Sequence, residues 1–421
     1  MKKHNWKKGS LHCHTLWSDG KNMPETVLTY YRQMGYSFVC LSDHNSAQQD
    51  PERWMEVKPD EGAWPPNLCR EEWARCQELC PGAVESKEGG YRTFVRLNTL
   101  SRLRELFEEK ENFLIVGGME LTSAFKGYES MPEGSPRGCH MNIFNLDLKK
   151  SFSEPKGTLK EIIDQGLAIY KEAASQSENI SFYMMNHPQY RCWDIDPAVL
   201  LDYREIKFFE VCNNGSESLA ENNIPVTPDA FWDFILAHRL DRGVGVIYGT
   251  CSDDAHCAEP ARRHTHGGLG TGFVVVDCGN DFSYNGIAKA MLNGDFYGST
   301  GLMLQEVEFD KETKTLSVQV QPKEEANYRI RFVTTKKDFD RTIQKAFYKG
   351  KTPIFDREVT VIPESIGVTV KEVEGISASY TMQEDELYIR AIIYSDIPGR
   401  IHPPVPPAYP ETEQAWTQPF C

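Results

Sequence analysis

In the stretch "SLHCHTLWSDG", His12 and His14 stand one residue apart and Asp19 follows five positions later. Side chains alternate along a strand, so two histidines spaced in this way share a face and can hold one ion from one rigid element. Further groups of the same kind recur along the chain. "LSDHN" carries Asp43 and His44, "GGME" ends in Glu120, "GCH" in His140, "MNHP" carries His187, and "SDDAH" holds Asp254 and His256. Imidazole with carboxylate suits zinc, iron and manganese, and a carboxylate can bridge two ions. His12, His14, Asp19, His44, Glu120, His140, His187, Asp254 and His256 are therefore enough donors for two or three divalent metal ions (Mn, Zn or Fe).

The elements that must bring these groups together read as β/α units around a mainly parallel sheet. Short apolar runs, "YSFVCLSD", "NFLIVGGME", "CHMNIFNL", "ISFYMMNHP", "IKFFEVCN", "GVIYGTCSDD" and "TGFVVVDC", alternate with amphipathic stretches such as "PETVLTYYRQMG" and "GTLKEIIDQGLAIYKEAASQ". The helix pattern beginning at Pro24 has proline at its start and Gly35 at its stop. Nearly every strand delivers a ligand-type residue, almost always at its C-terminal end. In barrels of parallel strands that end is where distant residues converge on one site.

At 421 residues the chain exceeds the roughly 250 to 300 at which one core stops growing, so a large domain and a smaller one are expected. The large one spans 1–301. From about residue 47 to 110 the sequence is polar and rich in Trp, Pro, Cys and Glu, which reads as an insertion serving as a cap over the site or lying idle on the surface. After "FYGSTG" the pattern turns to alternating strands ("LSVQVQP", "YRIRFVTT", "ELYIRAIIYSD"), giving a small antiparallel β-domain over 302–421 with a proline-rich connection near 396–414.

A net charge of -15 repels polyphosphate backbones and anionic lipid, arguing against long nucleic acid and against membrane binding. "MKKHNWKKGS" has lysines but no apolar stretch after it, and no spanning run follows, so the chain reads as cytoplasmic. The twelve scattered cysteines read as reduced thiols; Cys69, Cys76 and Cys80 match no zinc spacing.

"LHCHTLWSDG", "LSDHN", "GGMEL", "NHPQ" and "SDDAH" together resemble the successive motifs of the PHP (polymerase and histidinol phosphatase) superfamily of metal-dependent hydrolases, over residues 9 to about 300. The trailing β-segment with "WTQPF" resembles the carbaryl-hydrolase-like branch. The resemblance implies an α/β fold, a distorted (β/α)7 barrel followed by a β-sandwich-like domain, and a trinuclear metal centre. It implies a first ion among His12, His14, Glu120 and Asp254, a second bridged by Glu120 to His140 and His187, and a third held by Asp19, His44 and His256. The 76-position step from His44 to Glu120 is longer than that pattern has.

The implied activity is that of a phosphoesterase on a small phosphate mono- or diester, because two cations sharing a water bring its pKa from 15.7 toward about 7 and neutralise phosphoryl oxygens. A carboxylester or carbamate hydrolase using the same centre is the alternative, since carbonyl carbon is also open to such attack. A metal-stabilised scaffold for a binding β-domain is a third reading. Around the ligands, Asp43 reads as orienting an imidazole, moving a proton or capping a loop. Arg191 and Arg262 or Arg263 read as bidentate phosphate contacts, and His264 and His266 as possible acids or surface residues. Glu210 faces the site without being a ligand, and Asn213 and Asn214 bond substrate or close a turn.

Overall fold

The computed structural model describes residues 4–60, 66–126, 136–213, 226–258, 268–349, 356–399 and 411–421, apart from the side chains of Lys126, Pro136, Arg191 and Cys192. One sheet of 13 strands dominates it. These are β1 (Trp6–Ser10), β2 (Phe38–Leu41), β3 (Leu114–Lys126), β4 (Pro136–Phe144), β5 (Phe182–Met185), β6 (Ile206–Asn213), β7 (Tyr248–Ser252), β8 (Phe273–Asp277), β9 (Phe296–Ser299), β10 (Tyr328–Thr334), β11 (Val368–Glu374), β12 (Arg390–Pro398) and β13 (Thr412–Thr417). In space they run β7, β6, β5, β4, β3, β2, β1, β8, β9, β13, β12, β10, β11.

Strands β1 to β3 pair in parallel, as do β5 to β7. β4 lies between the two sets and is antiparallel to both neighbours, so β1, β2, β3, β5, β6 and β7 all point one way. The reversed β4 has a simple cause. Only residues 127–135 separate it from β3, fewer than the dozen or more that a parallel crossover requires. Strands such as β2 and β8 are buried along their whole length, which their uninterrupted apolar sequences require.

Among the described residues no ladder joins β7 to β8, and closure into a seven-stranded barrel is not seen. Instead the sheet curls, and the extended residues beyond β1 and β7 meet in a single parallel bridge between Cys13 and Ala255. From β8 onward every pairing is antiparallel.

The trailing strands form the antiparallel β-structure that their alternation predicts, but they continue the main sheet through β13 on β9. A second sheet of Leu304–Asp310, Thr315–Val320 and Ser377–Thr381 packs on them, with Leu316, Val318 and Val320 in one apolar cluster with Ile330, Phe332 and Ile393. Buried Arg390 fixes this part to the helix Pro228–Asp241, donating to both carboxylate oxygens of Asp233 at 2.8 and 2.6 Å.

Residues of the 47–110 segment build a three-stranded sheet (Trp54–Glu56, Ser86–Gly89, Arg92–Arg96) and the helix Arg70–Leu79. Its Leu68, Cys76, Val95 and Leu97 form an apolar cluster with Leu16, Trp17 and Met23, so the segment sits on the loop that follows the paired histidines. The described cysteines are free thiols. No helix among the described residues is long and apolar enough to cross a membrane.

Candidate metal centre

The parallel strands end at one rim, and the ligand-type side chains gather there. β1 stops at Ser10, so His12 and His14 lie just past it on an extended continuation, not within the strand as their alternation suggests; the Cys13–Ala255 bridge and a His14 N to Ala255 O bond of 2.8 Å keep that continuation straight. His44 follows β2 and bridges to Glu120 in β3. His140 lies in β4 opposite Thr122, His187 follows β5, and Asp254 and His256 follow β7. Asp254 holds a left-handed backbone, φ +46°, a sparsely populated conformation that recurs at functional positions.

All nine candidate side chains meet. Ligand atoms fall into four overlapping groups, each within 4.8 Å: His14, Asp19, His44 and His256; His12, Glu120 and His187; His12, His14 and Asp254; and His44, Glu120 and His140. The grouping differs from the one the resemblance implies: His14 also joins the Asp19 set, His44 also joins Glu120 and His140, and His187 groups with His12 and Glu120 apart from His140.

Glu120 is the hub. Its Oε1 lies 3.2 Å from His12 Nε2, 3.2 Å from His140 Nδ1 and 3.4 Å from His187 Nε2, and its Oε2 lies 2.7 Å from His44 Nδ1. Asp254 Oδ1 lies 3.1 Å from both His12 Nε2 and His14 Nε2. Asp19 Oδ2 lies 3.2 Å from His44 Nε2 and 3.4 Å from His256 Nε2.

These donors fit divalent cations. Buried His12 Nε2 and Glu120 Oε2 have no hydrogen-bond partner of acceptable geometry although polar atoms surround them, whereas buried polar atoms are normally satisfied. Lone pairs facing one another at these separations are what ligands of a shared ion present.

Other side chains orient the ligands. Glu210 Oε1 accepts from His12 Nδ1 at 2.8 Å, which leaves Nε2 turned to the centre; Ser252 Oγ bonds the same oxygen, and Glu210 Oε2 accepts His187 N and Asn213 Nδ2. Asn186 donates to Glu120 Oε1 at 2.7 Å, and Asn213 to Asp254 Oδ2 at 3.3 Å. Metal-bound histidines are held in this manner by carboxylates in general. The sequence places Glu210 near the site but gives no sign that it grips His12.

Asp43 is placed differently from the reading that joins it to its neighbour His44. Fully buried, it accepts from Thr15 N at 2.8 Å, Thr15 Oγ1, Ser18 Oγ at 2.7 Å and Gln48 Nε2 at 3.0 Å. Its link to an imidazole runs through Ser18, whose Oγ is 3.4 Å from His14 Nδ1. The loop between the paired histidines and Asp19 is thereby tied down, as the capping alternative has it. The backbone of Arg191 belongs to the short helix Tyr190–Trp193. Its side chain, and Asn214, Arg262, Arg263, His264 and His266, lie outside the described residues.

Burial raises, and the surrounding histidines lower, the carboxyl groups of Glu120 and Asp254, with a net fall well below the usual range. Burial, together with His256 and His44, lowers His14 to about 4, which keeps its ring neutral and its lone pair available.

No family model matches the sequence, and no curated protein matches it. Among solved structures, an amidohydrolase from Chromobacterium violaceum with bound sulfate and no metal aligns over 59% of this chain and 87% of its own, at 11% identity and TM-score 0.29. The chain is also similar, over 94% of its length and 91% of the other's, at 15% identity and TM-score 0.41, to a two-domain protein of Bacteroides vulgatus containing a predicted PHP-like metal-dependent phosphoesterase.

Proposed function

We propose that the chain is a metal-dependent phosphoesterase that hydrolyses a small phosphate mono- or diester with two or three divalent cations. The observation that carries this reading is the set of four overlapping donor groups, which share His12, His14, His44 and Glu120 and so suit adjacent ions. Cations bound there supply Lewis acidity toward phosphoryl oxygens and an activated water at neutral pH.

The chain's own residues do the rest. Glu210 fixes the ring of His12, and Asn186 and Asn213 fix the carboxylates of Glu120 and Asp254. The side chains of His12, His14 and Glu120 are wholly buried, whereas those of His44, His140 and His256 are 22%, 17% and 28% exposed. Substrate therefore approaches from the side of these three imidazoles. The acidic surface favours a small ester whose charge is neutralised inside the site over a long polyanion.

The test is a panel of initial rates for manganese-loaded protein on a phosphomonoester, a phosphodiester, a carboxylester and a carbamate. Turnover of a phosphate ester is expected. Turnover of the carbonyl esters alone would move the reading to a carboxylester or carbamate hydrolase.

A further inference from the structure

Beside its apolar cluster with Leu16, Trp17 and Met23, the 47–110 segment holds the ligand loop by polar contacts, among them the grip of Glu72 on the buried side chain of Asn22. Asn22 lies three residues beyond Asp19 and is 1% exposed. Its Nδ2 donates to Glu72 Oε2, on the helix Arg70–Leu79, at 2.6 Å, and its Oδ1 accepts Ala258 N at 2.6 Å. Ala258 follows His256 by two residues, and His256 O in turn accepts Lys21 N at 2.8 Å. The other oxygen of Glu72 accepts Met23 N at 2.8 Å, so one carboxylate grips both Asn22 and the residue after it. Glu72 is itself 1% exposed, and Arg75 Nη1 donates to it at 3.0 Å.

A side-chain amide donates to the carboxylate through Nδ2 and accepts a backbone N–H at Oδ1, and a carboxylate in its place has no hydrogen to donate. Asn22 and the Lys21–His256 backbone bond thus together hold the Asp19 loop against the His256 loop, and Glu72 sets the direction in which Asn22 points. The contacts that orient Glu120 and His187 come from Asn186, just past the end of β5, and from Glu210 in β6. Asp19 and His256 are the two donors this connection serves.

We propose that the 47–110 segment is a clamp for one ion site: through Asn22, Glu72 positions Asp19 and His256 so that His14, Asp19, His44 and His256 form a site of their own. Glu72 and Asn22 are positioning residues and touch neither ion nor substrate. The proposal rests on the metal-centre reading, and it makes the loss selective: weakening the clamp lowers the affinity of one ion and spares the rest.

The experiment is equilibrium dialysis of the full chain against graded Mn2+, with elemental analysis, for wild type, Asn22→Asp, and the double variant Asn22→Asp with Glu72→Gln. Asn22→Asp retains the acceptor for Ala258 N but sets two carboxylates against each other. One bound equivalent should weaken about 10- to 100-fold, the usual range for removing an outer partner of a ligand, and the others should hold. The double variant reverses donor and acceptor and should restore the lost equivalent. Unchanged binding in Asn22→Asp, equal weakening of every equivalent, or no recovery in the double variant each overturns the clamp.

Hydrogen exchange on metal-free protein separates this from failure of the metal reading itself. Amides of residues 15–22 and 256–258 should exchange faster in Asn22→Asp, with β3 to β5 unchanged and the double variant restored to wild type. If wild type binds no Mn2+, the metal reading falls and this measurement alone decides the clamp; unchanged exchange in the two loops then overturns it.

Discussion

His12 Nδ1 lies 2.8 Å from Glu210 Oε1, with both side chains wholly buried. A carboxylate oxygen accepts, so the hydrogen sits on Nδ1 and the Nε2 lone pair points at the Asp254 and Glu120 carboxylates. Glu210→Ala should lower Mn2+ affinity about 10- to 100-fold, with Glu210→Gln, which keeps an acceptor, losing less. Titration with Mn2+ checks the order of the two variants; equal, wild-type affinity in both would remove Glu210 from the account.

Gly20 is the tightest point of the ligand loop. A Cβ there would come within 2.5 Å of the backbone C and O of His14 and the N of Thr15, atoms that cannot swing aside. Gly20→Ala should therefore displace His14 or Asp19 and cut activity at least tenfold, while the melting temperature of metal-free protein falls by only a few degrees, about 1–3 kcal/mol. Activity within twofold of wild type would show that the loop can yield without moving its ligands.

The buried pair of Arg390 and Asp233 ties the trailing strands to the sheet's covering helix. Removing one member leaves an unpaired buried charge, so Arg390→Ala should cost about 3–5 kcal/mol, whereas replacing both by apolar residues of similar volume should cost far less. Denaturant unfolding of the single and double variants measures the difference.

Glu25, in the first turn of the helix Pro24–Gln33, accepts from Asn98 Nδ2 at 2.7 Å. Burial raises its carboxyl to about 7, opposed by backbone and Asn98 hydrogen bonds and reinforced by Glu72. The raised group binds a proton in the folded state that the unfolded chain releases nearer pH 4.5. Its contribution is therefore complete below about pH 4.5 and is lost as pH rises to about 7, by up to about 3 kcal/mol. Glu25→Gln should flatten that part of the stability profile, and an unaltered slope would contradict it.

The convergence of the nine candidate donors is readable because parallel strands repeat a rule: an apolar run, then a polar residue at its C-terminal end. His44, His187 and Asp254 follow that rule directly. Glu120 and His140 sit within their strands, and their meeting depends on β4 running backwards, which the apolar runs "NFLIVGGME" and "CHMNIFNL" do not reveal because both strands extend beyond them and shorten the link to 127–135. Less of the rest was legible. The grip of Glu210 on His12 spans 198 positions and has no local signature. The docking of residues 47–110 combines a small apolar cluster with single polar side chains such as Glu72 and Asn98, scattered over a polar stretch. The continuation of the sheet through β13, which pairs with β9 on one side and β12 on the other, is invisible because gaining a neighbour leaves the alternation of a strand unchanged.

On the proposed reading, phosphate-ester hydrolysis depends on metal held by these nine side chains. Its most direct test is the initial rate on one phosphomonoester and one phosphodiester, before chelation, after removal of metal, and after Mn2+ is restored, in wild type and in Asp254→Asn. Wild-type turnover should disappear on chelation and return with Mn2+, while Asp254→Asn should stay at least about 100-fold slower throughout. Turnover that survives chelation, or that Asp254→Asn retains in full, would contradict it.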